Sequence, residues 1–179
     1  MLPPVHVAVG YLCYAALVRL RGAGTPGGRA TLVAVLAAAL PDLIDKPLDW
    51  LGVVAVGRTV GHSLLFAVPL VALVRTLTRR ADEREFGIAF ATGYLSHVAT
   101  DVPWHLLSRE YHELGFLLWP ITPMPPYTGT TTLATLGGTE VSTLWLEAAI
   151  LVAGVALWIR DGSPGVGSDR EESSSNRLR

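Results

Sequence analysis

In the run Gly93-Tyr94-Leu95-Ser96-His97-Val98-Ala99-Thr100-Asp101, an imidazole and a carboxylate stand four residues apart. In a helix both emerge on one face, one turn apart. A pair so placed can hold a metal ion or a proton between them. Their neighbours are apolar, so neither group is tolerable there without partners. Residues of the same chemistry recur earlier in the chain. They are His6, the Asp42 and Asp45 of Pro41-Asp42-Leu43-Ile44-Asp45, and His62.

The elements that must position them are apolar and long. Half of the 179 residues are hydrophobic and only 16% are charged, against about 25% in soluble chains. The mean hydropathy is +0.42. Five apolar segments stand out: Val5 to Leu20, Ala30 to Ile44, Val60 to Leu77, Phe86 to Val102, and Thr143 to Ile159. Each is slightly shorter than the roughly 20 residues of a spanning helix, a shortfall that tilt and local thinning absorb. The expectation is an all-α, polytopic transmembrane bundle of about five helices. It comprises one helical domain over 1–161 and a disordered cytoplasmic tail over 162–179, rich in Gly, Ser and acids. A soluble protein with unusually buried helices is the alternative. No basic region precedes the first segment, which argues against a cleaved signal peptide.

Charge sets the orientation. Counting alternate sides, Arg19, Arg21, Arg29, Arg75, Arg79, Arg80, Arg84, Arg160, Arg170, Arg177 and Arg179 fall together, eleven of the 14 basic residues. Only Lys46, Arg58 and Arg109 remain opposite. The positive-inside rule then predicts a multi-pass cell-membrane protein with its N-terminus outside and its C-terminus cytoplasmic. The net charge of −1 and the lack of a basic stripe with interleaved aromatics argue against nucleic acid. The single cysteine, Cys13, excludes an internal disulfide and a Cys-rich zinc cluster.

On this topology His6, Asp42, Asp45, His62, His97 and Asp101 all fall at the outer ends of the first four helices. The distribution of basic residues that sets the topology is independent of them. Three His and three Asp suit zinc or another divalent metal such as manganese or magnesium better than calcium. Six ligands exceed a simple catalytic zinc site, so two ions with bridging carboxylates fit the count. Asp45 or Asp101, where not a ligand, is a candidate general base, and Arg58 a candidate partner for an anionic oxygen. Each residue also has a plainer reading. His6 can be interfacial, Asp42 and Asp45 can cap and turn the chain, His62 can pack on an aromatic ring, and Arg58 can pair with Asp49. His97 with Asp101 is the hardest to explain that way.

Weaker candidates surround these six. Ser63 and Ser96 are possible hydrogen-bond partners of the adjacent histidines. His105 and His112 lie in the long outer connection from Pro103 to Ser142, and Trp104 and Trp119 suit membrane anchors. No Gly-x-Ser-x-Gly elbow is present, so a serine-hydrolase triad fits poorly.

Taken in order, His6, Pro41-Asp42-Leu43-Ile44-Asp45, Arg58 with His62-Ser63, and Gly93 through Asp101 resemble the YdjM-like family of membrane proteins, regarded as metal-dependent hydrolases. Leu118-Trp119-Pro120 is similar to a Leu-Trp-Pro of that family. The resemblance covers roughly residues 1 to 125 and departs from the pattern at Val102-Pro103-Trp104-His105. It implies an integral membrane, all-helical, metal-dependent hydrolase. The His-x-x-x-Asp element is also similar to one in zinc-dependent phospholipases C and single-strand nucleases, which favours phosphoesters. The expected activity is therefore hydrolysis of a phosphoester or phospholipid-type substrate at the outer face, the partners being membrane lipid and a small-molecule or lipid substrate. The rival is a non-enzymatic metal-ion or proton transporter, which the clustering at one face and the lack of paired repeats disfavour. A structural subunit that binds no metal is the third reading.

Overall fold

The computed structural model describes residues 2–107, 111–124 and 141–166. These form five helices and no strand: α1 Pro3–Leu20, α2 Gly28–Trp50, α3 Leu64–Arg80, α4 Arg84–Leu107 and α5 Val141–Arg160. A 3₁₀ segment, Tyr111–Leu118, follows α4.

Local chemistry explains where the helices begin. Pro3 and Pro4 open α1, where a missing N–H leaves no bond unmade. Ser63 caps α3, its Oγ accepting the Leu65 N–H at 3.2 Å. His62 therefore precedes α3 rather than opening it. Helix α2 runs six residues beyond the expected end at Ile44, through Pro41 and Pro47. A proline inside a helix removes a rung and pushes the preceding turn open. Here the opened turn is used by the site.

Helices α1, α2 and α4 pack on one another, and small residues bring them close. A Cβ on Gly93 would stand 2.0 Å from the Ala34 carbonyl oxygen, and one on Gly10 2.4 Å from Ala38 Cβ. Two apolar cores result. One joins Tyr14, Val18, Ala30, Ala34 and Ala89. The other joins Ala37, Ala67, Val71, Tyr94, Val98 and Phe116. Large apolar side chains also point outward, among them Leu36, Phe66, Leu73, Leu77, Trp145 and Val152.

Among the described residues one helix, Pro3–Leu20, is long and apolar enough to cross a membrane, where five such segments were expected. For α2, α3 and α4 the reasons are local. Helix α3 has 17 residues, and the polar side chains of the site dilute α2 and α4. Past α5 the chain stays packed as far as it is described: Trp158 Nε1 donates to the Pro164 carbonyl at 3.1 Å, and Arg19 and the Tyr11 hydroxyl both bond Asp161. Residues 162–166, expected in the tail, belong to this turn. Residues 167–179, Arg109, and the side chains of Trp104, His105 and His112 lie outside the described residues.

Candidate metal centre

Antiparallel succession puts the start of α1, the end of α2, the approach to α3 and the end of α4 at one end of the bundle. His6, Asp42, His62, His97 and Asp101 meet there. All but Asp42 are almost wholly buried, and Asp42 is 15% exposed at its side chain. The His6 and His97 rings stack at 3.9 Å. His62 Nε2 lies 3.0 Å from His97 Nε2, 3.5 Å from Asp101 Oδ2 and 3.9 Å from Asp42 Oδ1. His6 Nε2 lies 3.4 Å from Asp101 Oδ1. Two groups have ligand atoms within 4.8 Å of one another and can hold a metal ion: His6, Asp42 and His97; and His62, His97 and Asp101.

The proton positions follow from the partners. His62 Nδ1 is 2.8 Å from Asp45 Oδ2, a carboxylate that only accepts. His97 Nδ1 is 2.6 Å from the Ala38 carbonyl, which also only accepts. That carbonyl lies in the turn that Pro41 opens. His6 Nδ1 is 3.0 Å from Thr100 Oγ1. The Thr100 hydroxyl also lies 2.9 Å from the carbonyls of Ser96 and His97, and His6 Nε2 faces Asp101 Oδ1, so both ring nitrogens of His6 have a polar partner. The neutral forms of His62 and His97 therefore carry their proton on Nδ1 and present a bare Nε2 lone pair. Those lone pairs face each other at 3.0 Å. Lone pairs so disposed repel unless a cation lies between them, and a hydrogen bond from Nδ1 to a fixed acceptor is the usual support of a metal-binding histidine.

Asp45, expected among the ligands, is placed differently. Its oxygens accept from Thr59 N at 2.7 Å, Gly61 N at 2.9 Å, His62 N at 3.3 Å and Thr59 Oγ1 at 3.3 Å, besides His62 Nδ1. It fastens the 51–63 segment to α2 and sets the His62 ring. The same segment is held from α4, where the Tyr94 hydroxyl donates to the Gly61 carbonyl at 2.6 Å. Gly61 sits hard on α2, since a Cβ there would be 2.7 Å from the Pro41 carbonyl oxygen.

Arg58 pairs with Asp101, Nε to Oδ2 at 3.1 Å and Nη2 to Oδ1 at 3.5 Å, with its side chain 23% exposed. Lys46 pairs with Asp42 at 2.9 Å, four residues along the same helix. The serines turn elsewhere: Ser63 Oγ donates to the Trp119 carbonyl at 2.6 Å and Ser96 Oγ to that of Gly93 at 2.8 Å. Sequence reasoning missed Thr100, Thr59 and the Ala38 carbonyl as parts of this end, and the pairing of Lys46 with Asp42. It also missed Glu147, a buried acid of α5 that accepts the Leu2 N–H at 3.1 Å and so ties α5 to the helix carrying His6. A lone acid inside an apolar run was the available signal for Glu147; the Ala38 carbonyl had none.

The family model described as YdjM inner membrane protein matches residues 1–162. No curated protein and no solved structure matches the chain.

Proposed function

The chain belongs to the YdjM inner membrane protein family, and from that premise we propose that it is a multi-pass, metal-dependent hydrolase of a phosphoester, with its site at the outer membrane face. The observation that carries the reading is the convergence of the Nε2 atoms of His6, His62 and His97 beside the carboxylates of Asp42 and Asp101, with His62 and His97 held from Nδ1 by fixed acceptors. Three nitrogens with carboxylate oxygens suit zinc first, and manganese or magnesium less well. An imidazole nitrogen has one lone pair, and His97 belongs to both candidate groups. The geometry as it stands therefore favours one ion, and a second would depend on Asp42 or Asp101 bridging.

His6, His62, His97, Asp42 and Asp101 would hold the ion, with Asp45 as the acceptor that orients His62 rather than a ligand. A divalent metal bound there supplies Lewis-acid activation of water and polarises a phosphoryl oxygen. Asp101, whose two oxygens face Arg58 and His6, would take the proton of an attacking water by giving up one of those contacts. Arg58, the most exposed of these groups after Lys46, is placed to receive the negative charge that grows on the phosphoryl oxygens. The membrane arrangement is supported by the outward apolar side chains and by the Arg-rich opposite end. A headgroup-type substrate follows from a site at the water boundary.

Elemental analysis of gently purified protein, beside His97→Ala and a panel of phosphoester substrates, tests the reading. Stoichiometric metal and turnover, both lost in His97→Ala, are expected. Full hydrolytic activity in His97→Ala would overturn it.

A further inference from the structure

We propose that the turn between α3 and α4, at the end of the bundle opposite the metal centre, binds the phosphate of an anionic phospholipid headgroup. Arg75, Arg79 and Arg80 at the end of α3 and Arg84 at the start of α4 line two clefts of about 270 and 190 Å³, which share Arg79 and Arg84. Thr76 and Ile88 complete the walls. None of the four guanidinium groups makes an ion pair among the described residues. The acids nearby do not quench them. Glu85 accepts the Tyr14 hydroxyl at 2.9 Å, while Asp82 and Glu83 lie exposed at the tip of the turn.

Four like charges around one opening repel one another until an anion enters. The planar fork of N–H donors on each guanidinium matches phosphate oxygens two at a time. What selects a lipid over a free phosphate is the surface beside the cleft. Phe66, Leu73, Leu77 and Arg80 follow at intervals of seven, four and three residues, so they form one stripe along α3. The three apolar members are exposed. A headgroup seated among the arginines would lay its acyl chains along that stripe. Basic clefts between helices on the cytoplasmic side suit such headgroups.

The inference rests on the membrane orientation proposed above but not on hydrolysis. The full chain in neutral detergent would be titrated with phosphatidylglycerol, phosphatidylcholine and inorganic phosphate. Retained lipid would be counted by native mass spectrometry and the melting temperature followed. Phosphatidylglycerol should be retained and raise the melting temperature, whereas phosphatidylcholine and phosphate should not. Arg79→Gln with Arg84→Gln should weaken phosphatidylglycerol binding about tenfold or more, and Arg79→Lys with Arg84→Lys should weaken it less. If the glutamine pair does not fold, the single Arg79→Gln takes its place with a smaller expected loss. Equal retention of the two lipids, displacement by millimolar phosphate, or an unchanged affinity in the glutamine variant would overturn the lipid site. Resistance of the chain to alkaline extraction from membranes tests the orientation's premise separately. A chain that stays inserted yet prefers no anionic lipid sinks this inference alone.

Discussion

The two ends of the bundle treat charge in opposite ways. At the metal-centre end, His6, His62, His97, Asp45 and Asp101 are buried, and each is held by a named acceptor or ion pair. At the other end Arg75, Arg79, Arg80 and Arg84 stand exposed around an open cleft. A buried ionisable group without a partner costs several kcal/mol, so burial forces a geometry, and a geometry forced on three imidazoles is what a cation can read. An exposed arginine loses little by being unpaired, so that end keeps donors open for a ligand that arrives from outside. One end is preorganised by its own chain; the other is completed by its surroundings.

The largest effect should come from the region both ends share. Gly93→Ala would place a Cβ 2.0 Å from the Ala34 carbonyl oxygen, and backbone cannot yield as a flexible side chain does. Forcing α4 away from α2 should cost about 2–3 kcal/mol, read as a lower melting temperature with metal and lipid binding impaired together. A variant that lost one end alone would show that the ends are not coupled through this contact. Next in size is Asp45→Asn. The side chain keeps its volume but cannot accept at both of its polar atoms, so the His62 ring loses its fixed tautomer. Metal affinity measured by competition with a chelator should fall about 10- to 100-fold, leaving binding at the arginine end unchanged.

How much of this was legible beforehand divides along the same line. The five apolar runs and their alternation were enough to bring His6, Asp42, His62, His97 and Asp101 to one end, because antiparallel helices return the chain to the same level at every second turn. Periodicity says nothing about the 51–63 segment, which has no repeating pattern. Its Thr59 and Gly61 amides nonetheless decide what Asp45 does. Nor does a side-chain motif reveal that a backbone carbonyl, that of Ala38, is the partner of His97. Arg58 was equally open: Asp49 is closer in sequence, but the fold carries the guanidinium to Asp101. The helix ends slipped for a related reason. The apolar run of the second segment stops at Ile44, whereas α2 continues through Pro47 to Trp50.

A smaller effect separates the two roles within the metal centre. Arg58→Gln removes the cation beside Asp101 and frees that carboxylate. Metal content should hold or rise, while turnover of a phosphoester should fall by about tenfold to a hundredfold, less than for a fully enclosed oxyanion donor because Arg58 is partly exposed. Loss of metal in this variant would instead make Arg58 a structural prop of the ligand set.

The smallest effect belongs to the arginine end, where one acid is held as firmly as those of the candidate metal centre. Burial raises the Asp161 carboxyl, but the hydrogen bonds from Arg19 and the Tyr11 hydroxyl outweigh it and leave it below the ordinary value of 3.8. A depressed folded value means that the contribution to stability is present above the unfolded value and is lost as pH falls through the folded one. Stability should therefore be flat near neutrality and begin to drop below about pH 4 from this source. Tyr11→Phe removes one of the two donors and should cost about 1 kcal/mol at neutral pH, with a shallower acid limb because the carboxyl moves back toward its ordinary value. A melting temperature identical to that of the parent at pH 7 and at pH 3.5 would mean that the clasp between α1 and the end of α5 carries no load. The contrast would then sharpen, with Asp161 joining the loosely held charges of the arginine end.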